Sequence, residues 1–307
     1  MSVNPGPAAR GPLQPGDRVQ LADPKGRLHT VTLERGRLFH TAKGSIAHDD
    51  LIGGPEGVVV TSSKGTGYVA LRPLLSDFVL SMPRGAAVVY PKDAAMIVGL
   101  ADVFPSAFVV EAGAGSGALT CSLLRAVGET GRVLSYERRA DFAEIAEANV
   151  TTFFGRRPSN WTIQVGDFAA ADGDGTADRV VLDMLAAWDC LPAAAGWLRP
   201  GGVLVVYVAT TTQLSRVVET MRDQGCWTEP KASETLVRPW HVEGLSVRPS
   251  HRMVGHTGFL VAARRLADGT VLPLRRTRPA KGAYGRDWKR PGESVGDESG
   301  GISDPAG

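Results

Sequence analysis

The sequence predicts an α/β protein: a mostly parallel sheet with helices on both faces, preceded by a small all-β domain. Three observations predict it. From about residue 108 onward, short apolar runs alternate with helix-period segments, the pattern of stacked βαβ units. A glycine-rich turn, VVEAGAGSGALT over 109–120, joins the first of these strands to the helix after it. Ahead of them, from Asp17 to about Pro73, short β-like runs are broken by turn residues at the spacing of an all-β module.

Taken in order, residues 1–16 are rich in Pro and Gly with few large apolar groups, and are expected to be disordered. The β domain, 17–75, has strands at Arg18–Leu21, Leu28–Leu33, Val58–Val60 and Tyr68–Leu71. The turn sequences between them include Asp23-Pro-Lys-Gly26, Gly53-Gly-Pro55 and Lys64-Gly-Thr-Gly67. The larger domain, 76–265, opens with a helix from Ala94 to Ala101. Strands then fall at Phe108–Val110, Arg132–Tyr136, Trp161–Val165, Arg179–Leu182, Val203–Val208 and Phe259–Ala263. Helices fall at Ala118–Val127 and Ala140–Phe154, and near 188–198 and 212–224. Residues 266–307 read as a flexible basic tail carrying Arg275, Arg276, Arg278, Lys281, Arg286, Lys289 and Arg290, with acidic residues at its end.

Composition narrows the function. With 307 residues, 43% hydrophobic and a formal net charge of +2, the chain is not a polycation, so any nucleic-acid surface must be local. Cys121, Cys190 and Cys226 lie far apart and form no C-x-x-C, which argues against a disulfide framework or zinc knuckle and for a reducing cytoplasm. The six histidines form no H-x-x-x-H pair, so no metal is expected. No basic-then-apolar segment opens the chain and no apolar run approaches membrane-spanning length, so a soluble, unexported protein is expected.

The glycine-rich turn is the strongest single signal. Gly113, Gly115 and Gly117 let the backbone turn tightly and let a ligand approach the main chain at a helix start with free N–H groups. A dinucleotide fold shares that feature. However, Glu111, two residues before the first glycine, would repel a pyrophosphate and welcome an amino group. Glu137 ends the next strand, where it can grip both hydroxyls of a ribose, in an NAD-type fold as well, or stand as a solvated carboxylate. Asp167, after the third strand, either accepts a bond from the exocyclic amine of adenine or caps a turn.

Together the motifs VVYPKDAAMIVGLADVFP, EAGAGSGALT, SYERR, GDF, VLDMLAAW and GHTGFLVAARR resemble the prokaryotic tRNA (adenine-58-N1)-methyltransferases, class I S-adenosylmethionine-dependent enzymes with a Rossmann-like sheet. The resemblance runs from about Gly65 to Arg265, and that family also carries a β module ahead of the catalytic domain. It implies S-adenosylmethionine as cofactor, tRNA as substrate and a homotetramer. Ser116, Gly117, Ala118 and Leu119 would line the methionine end, Glu137 the ribose and Asp167 the adenine amine. Phe142 stands where the family contacts the nucleoside, in a place where relatives often have a polar residue. Asp183 would be the acid beside the target base. Where the family usually has Pro before the Trp of this motif, Ala187 stands here, which implies a less rigid loop.

Asp183 ends an apolar strand, where a carboxylate either caps the next helix or carries chemistry. Adenine N1 already has a lone pair, so no base is needed to expose it. Methylation spreads positive charge over N1 and N6, which a carboxylate accepting an N6–H bond stabilises. Tyr90 is placed to stack on a flipped base, and Asp93 either bonds that base or caps the helix from Ala94. His256 lies near the substrate or packs as a turn histidine under the last strand. Trp188 and Trp240 read as core or loop anchors. Candidate phosphate contacts are Lys43, Lys64, Arg72, Arg84 and the tail.

Overall fold

The computed structural model of the chain describes residues 11–85 and 87–273. The N-terminal region is a four-stranded antiparallel sheet of order β2-β1-β6-β5, built from β1 (Arg18–Ala22), β2 (Leu28–Thr32), β5 (Val58–Thr61) and β6 (Gly67–Leu71). A hairpin of β3 (Leu38–Thr41) and β4 (Gly44–Ala47) joins it. That hairpin is additional to the strands expected from sequence, because its strands have four residues each and few β-branched side chains. Val19, Leu21, Leu33, Ile46, Leu51 and Tyr68 fill the core beneath.

Residues 11–16 correct the expectation of a disordered lead-in. Leu13 is fully buried in that core, its N–H bonds Gly54 O and its O accepts from Gly53 N. The Arg72 guanidinium closes over the segment, bonding Gly11 O, Pro12 O, Asp17 Oδ2 at 2.9 Å and Glu56 Oε1 at 3.1 Å. One buried leucine, two backbone bonds and the Arg72 guanidinium together hold this Pro/Gly-rich stretch. Residues 1–10, and the tail from Arg275, lie outside the described residues.

The larger domain begins with α1 (Leu75–Ser81) and α2 (Pro91–Leu100), which precede its first strand. Its sheet comprises β7 (Phe108–Ala112), β8 (Arg132–Glu137), β9 (Trp161–Val165), β10 (Ala177–Asp183), β11 (Leu198–Val208), β12 (Lys231–Ser233) and β15 (Phe259–Arg264) in the order β12-β15-β11-β10-β7-β8-β9. β7 to β11 are parallel, and β15 runs antiparallel to β11 and β12. α3 (Ala118–Val127) and α4 (Ala140–Phe154) match the sequence reading, and α5 (Leu191–Trp197) and α6 (Thr211–Gln224) fall close to it. The hairpin β13 (Trp240–Glu243) with β14 (Ser246–Pro249) and the short β12 are further additions, since all three are largely exposed and carry no buried period to read.

Strand alternation splits the core in two. Val109, Val133, Val181 and Val205 face α1 to α4, packing with Phe78, Ile97, Leu123 and Phe153. Val110, Val180, Leu182, Leu204 and Val206 face α5 and α6. The chain order reverses between β7 and β10, which are neighbours, and in open sheets ligands sit at the strand C-termini at such a point.

If residues 11–16 are part of the β domain, Leu13→Ala leaves a cavity and lowers stability by about 2–5 kcal/mol in denaturant melts. A loosely attached segment would lose less than about 0.5 kcal/mol.

Candidate active site

Period two along the strands collects the acids. Glu111 has the parity of Val109, Glu137 that of Val133, and Asp183 that of Val181, so all three belong to the face toward α1–α4. In register, Glu111 lies opposite Ser135 and Asp183 opposite Tyr207.

The three glycines of the turn have different roles. A Cβ on Gly113 would lie 1.9 Å from the carbonyl O of Asp183, so this glycine is what lets the end of β7 touch the end of β10. Gly117 holds φ +80° at the start of α3 and packs against Val150 and Ala146 of α4. A Cβ on Gly115, at φ +54°, would meet only Gly113 O, 3.9 Å away, so a side chain there would enter open space at the strand ends. Gly117 gives α3 no side-chain cap, which leaves the first N–H groups of that ten-residue helix available to an anion. Ser116, Ala118 and Leu119 are buried around this end, and Ser116 Oγ has no partner among the described residues. Asn149 on α4 donates to Ser116 O at 2.9 Å and to Pro83 O at 2.7 Å, pinning the loop to the helix behind it.

Glu111 is fully buried. Its Oε2 accepts from Thr120 Oγ1 at 2.7 Å and Ser135 Oγ at 2.6 Å, and Ser135 Oγ accepts from Trp161 Nε1 at 3.0 Å. Its Oε1 has no partner among the described residues. Burial, opposed by the two hydroxyl bonds and reinforced by Glu137, pushes its carboxyl up to about 7. Glu137 accepts from Gly115 N at 2.9 Å and Arg139 N at 3.0 Å, so the strand-end acid is held against the glycine loop. Asp183 is half-buried, and burial together with Glu111 and Glu137 pushes it up to about 7. It is not a helix cap: the short 3-10 turn Ala187–Cys190 starts from Ala186. Among the described residues, the bonds accepted by Glu111 and Glu137 come from hydroxyls and backbone N–H groups, none from a Lys or Arg side chain.

The remaining candidates divide. Tyr90, 37% exposed, sits at the start of α2 with its side chain free of capping duty. Asp93 neither caps that helix nor presents a free oxygen. It is fully buried, with Oδ1 2.7 Å from Lys92 Nζ and Oδ2 2.6 Å from Thr257 Oγ1. Lys92 also bonds Thr235 O and Thr257 Oγ1, locking α2 to the loops on either side of the β13–β14 hairpin. His256 is exposed, with Nε2 2.7 Å from Ala209 O and its ring 4.8 Å from that of Phe259. Asp167 is exposed and accepts from Ala169 N at 3.0 Å, so one oxygen caps a turn. Phe142 lies under the Arg139 guanidinium at 3.8 Å and against Gly85.

Three residues here escape the sequence reading, although Gln213 does carry a signal, the Thr210-x-x-Gln213 capping box that opens α6. Tyr207, opposite Asp183, donates to Thr257 O at 2.8 Å, and burial followed by Asp93 pushes its phenol up to about 12. Its strand parity is readable, but its neighbour across the sheet is not. Lys92 is hidden beside the more conspicuous Asp93. Gln213 donates to Leu185 O at 2.9 Å while accepting from Ala209 N and Thr210 N, which fastens the loop carrying Ala187. That clamp, rather than a proline, holds this loop.

Comparison with known proteins gives the family and the fold. Residues 11–60 match the TrmI-like N-terminal family, and residues 68–247 match the family described as tRNA methyltransferase complex GCD14 subunit. A Thermus thermophilus protein named tRNA (adenine(58)-N(1))-methyltransferase TrmI is 39% identical, covering 80% of this chain and 95% of its own. A Thermotoga maritima structure named an S-adenosylmethionine-dependent O-methyltransferase superposes with TM-score 0.79 and 31% identity, over 83% of this chain and 95% of that one. The Aquifex aeolicus tRNA (m1A58) methyltransferase TrmI superposes with TM-score 0.74 and 25% identity, over 84% and 100%. The chain belongs to the tRNA (adenine-58-N1)-methyltransferase family, on an S-adenosylmethionine-dependent methyltransferase fold.

Proposed function

We propose that the chain binds S-adenosylmethionine at the β7–β10 switch point and methylates N1 of adenine 58 in the T-loop of tRNA. The observation that carries this reading is charge. Three carboxylates meet where no lysine or arginine side chain among the described residues bonds them, and one buried oxygen of Glu111 has no partner there. A ligand bearing an ammonium and a sulfonium fits that field, and a pyrophosphate does not. S-adenosylmethionine supplies an electrophilic methyl group. Glu111 and the open start of α3, with Ser116, Ala118 and Leu119, hold its amino-acid end. Glu137 holds the ribose through the lone pairs its two backbone bonds leave over. Asp167 takes the adenine amine with the oxygen not used for capping, and Phe142 borders the nucleoside.

Asp183 accepts the N6–H of the target adenine and stabilises the charge that develops across N1 and N6. Tyr90 stacks on the flipped base. Lys43, Lys64 and Arg84 are exposed and suited to phosphate, whereas Arg72 is occupied by Asp17 and Glu56. The exposed hairpin β13–β14, with Trp240, Val242, Leu245 and Val247 outward, supports self-association of this chain as the homotetramer. Among the described residues no helix is long and apolar enough to cross a membrane, and a cytoplasmic tRNA pool is the setting we propose.

Nucleoside mass spectrometry of unmodified tRNA incubated with the protein and cofactor should reveal 1-methyladenosine. Appearance of 2′-O-methyladenosine instead would favour the oxygen chemistry named for the Thermotoga structure. Asp183→Asn should slow single-turnover transfer by ~10²- to 10³-fold, and Asp183→Ala at least as much, with little change in melting. In the native protein the rate should rise with pH to a plateau reached at or below about 7, because the carboxylate is the active form and the bound cation lowers its pKa. A fully active Ala variant would remove Asp183 from the chemistry.

Gly115→Val should abolish S-adenosylmethionine binding in calorimetry, since its side chain would occupy the ligand's space, and should cost about 1–3 kcal/mol in melting because a β-branched residue is strained at φ +54°. Tight binding by that variant would count against the assigned site.

A further inference from the structure

The loop after Asp183 presents one side chain to solvent. Leu185 is 82% exposed, two residues beyond the acid at the ligand edge. Its neighbours turn inward: Met184 Sδ lies 3.0 Å from Cys190 Sγ, and Ala187 is fully buried. The backbone beneath Leu185 is fixed, because Gln213 Nε2 holds its carbonyl at 2.9 Å and Gln213 Oε1 is itself held by Ala209 N and Thr210 N. One turn along α6 from Gln213, the exposed Arg216 guanidinium lies 4.1 Å from the centre of the Trp188 ring, three residues beyond the leucine in sequence. A single exposed leucine is ordinary on a protein surface; what marks this one is its place, two residues beyond Asp183 at the strand ends on a loop whose backbone is clamped.

We infer that Leu185 is an apolar wedge that fills the gap left in the T-loop stack when the target adenine is flipped toward Asp183. This rests on the proposed reaction. A base in a folded loop reaches the pocket only by unstacking, and the vacancy it leaves costs a few kcal/mol unless apolar surface fills it. The clamp gives the wedge a fixed distance from the acid, and Arg216 offers the neighbouring phosphate a partner. Leu185 therefore acts on the substrate's conformation and leaves the cofactor's contacts untouched.

The test replaces adenine 58 by 2-aminopurine, whose fluorescence rises on unstacking, and compares the native protein with Leu185→Ala and Leu185→Met. The native protein should raise the fluorescence. Leu185→Ala should lose most of that rise and slow single-turnover methylation of the ordinary tRNA about tenfold or more. S-adenosylmethionine affinity and oligomeric size should stay unchanged, and Leu185→Met should restore both signals. Native-like fluorescence and rate in Leu185→Ala would overturn the wedge. So would a change of assembly state in that variant, which would assign the leucine to self-association. If the native protein itself leaves tRNA unmethylated, the proposed reaction fails, and the wedge with it.

Discussion

The site is organised by uncompensated negative charge. Glu111, Glu137 and Asp183 are brought to one end of one sheet face, and among the described residues none takes a hydrogen bond from a cationic side chain. Burial and mutual repulsion push both Glu111 and Asp183 up to about 7, so the ligand-free protein holds protons there that it would otherwise release near pH 4. The sign follows directly: raised carboxyl pKa values make the free protein lose stability as pH rises from about 4 toward 7. A ligand that brings an ammonium and a sulfonium to these acids reverses that penalty. Ligand choice is thus written into the charge of the sheet edge as much as into the shape of the loop.

Everything nearby maintains that crowding. Gly113 lets β7 and β10 meet so closely that Asp183 and Glu111 share one field. Trp161, Ser135 and Thr120 hold one oxygen of Glu111 in place and leave the other free. Lys92, Asp93 and Thr257 satisfy one another, so the cation nearest in sequence to Tyr90 does not neutralise the acids. Asn149 pins the glycine-rich loop and Gln213 the loop after Asp183.

Much of this is legible in the sequence because it depends on local periodicity. The strand ends carrying Glu111, Glu137 and Asp183, and the helices Ala118–Val127 and Ala140–Phe154, follow from apolar alternation and glycine placement. What escapes depends on contacts distant along the chain. Asp93 reads as a cap or a base contact because its partner Thr257 lies 164 residues away. Arg72 reads as a phosphate contact, yet Asp17, 55 residues earlier, holds it. Leu13 looks like part of a floppy stretch until Gly53 and Gly54 supply its backbone partners. Tyr207 carries no motif of its own, and the capping box that marks Gln213 does not reveal its reach to the loop after Asp183. The pairing of β10 with β11 brings Tyr207 beside Asp183, and a side-chain bond to Leu185 O brings Gln213 to the loop beyond it.

The most direct measurement is proton release on cofactor binding. Calorimetric titration of the ligand-free protein with S-adenosylmethionine at pH 6.5, repeated in buffers of different ionisation enthalpy, counts those protons. With Glu111 and Asp183 both raised before binding, the account predicts net proton release at that pH, with Asp183→Asn releasing fewer protons. Binding with no proton release at pH 6.5, or with proton uptake, would contradict the claim that the site is built around uncompensated carboxylates.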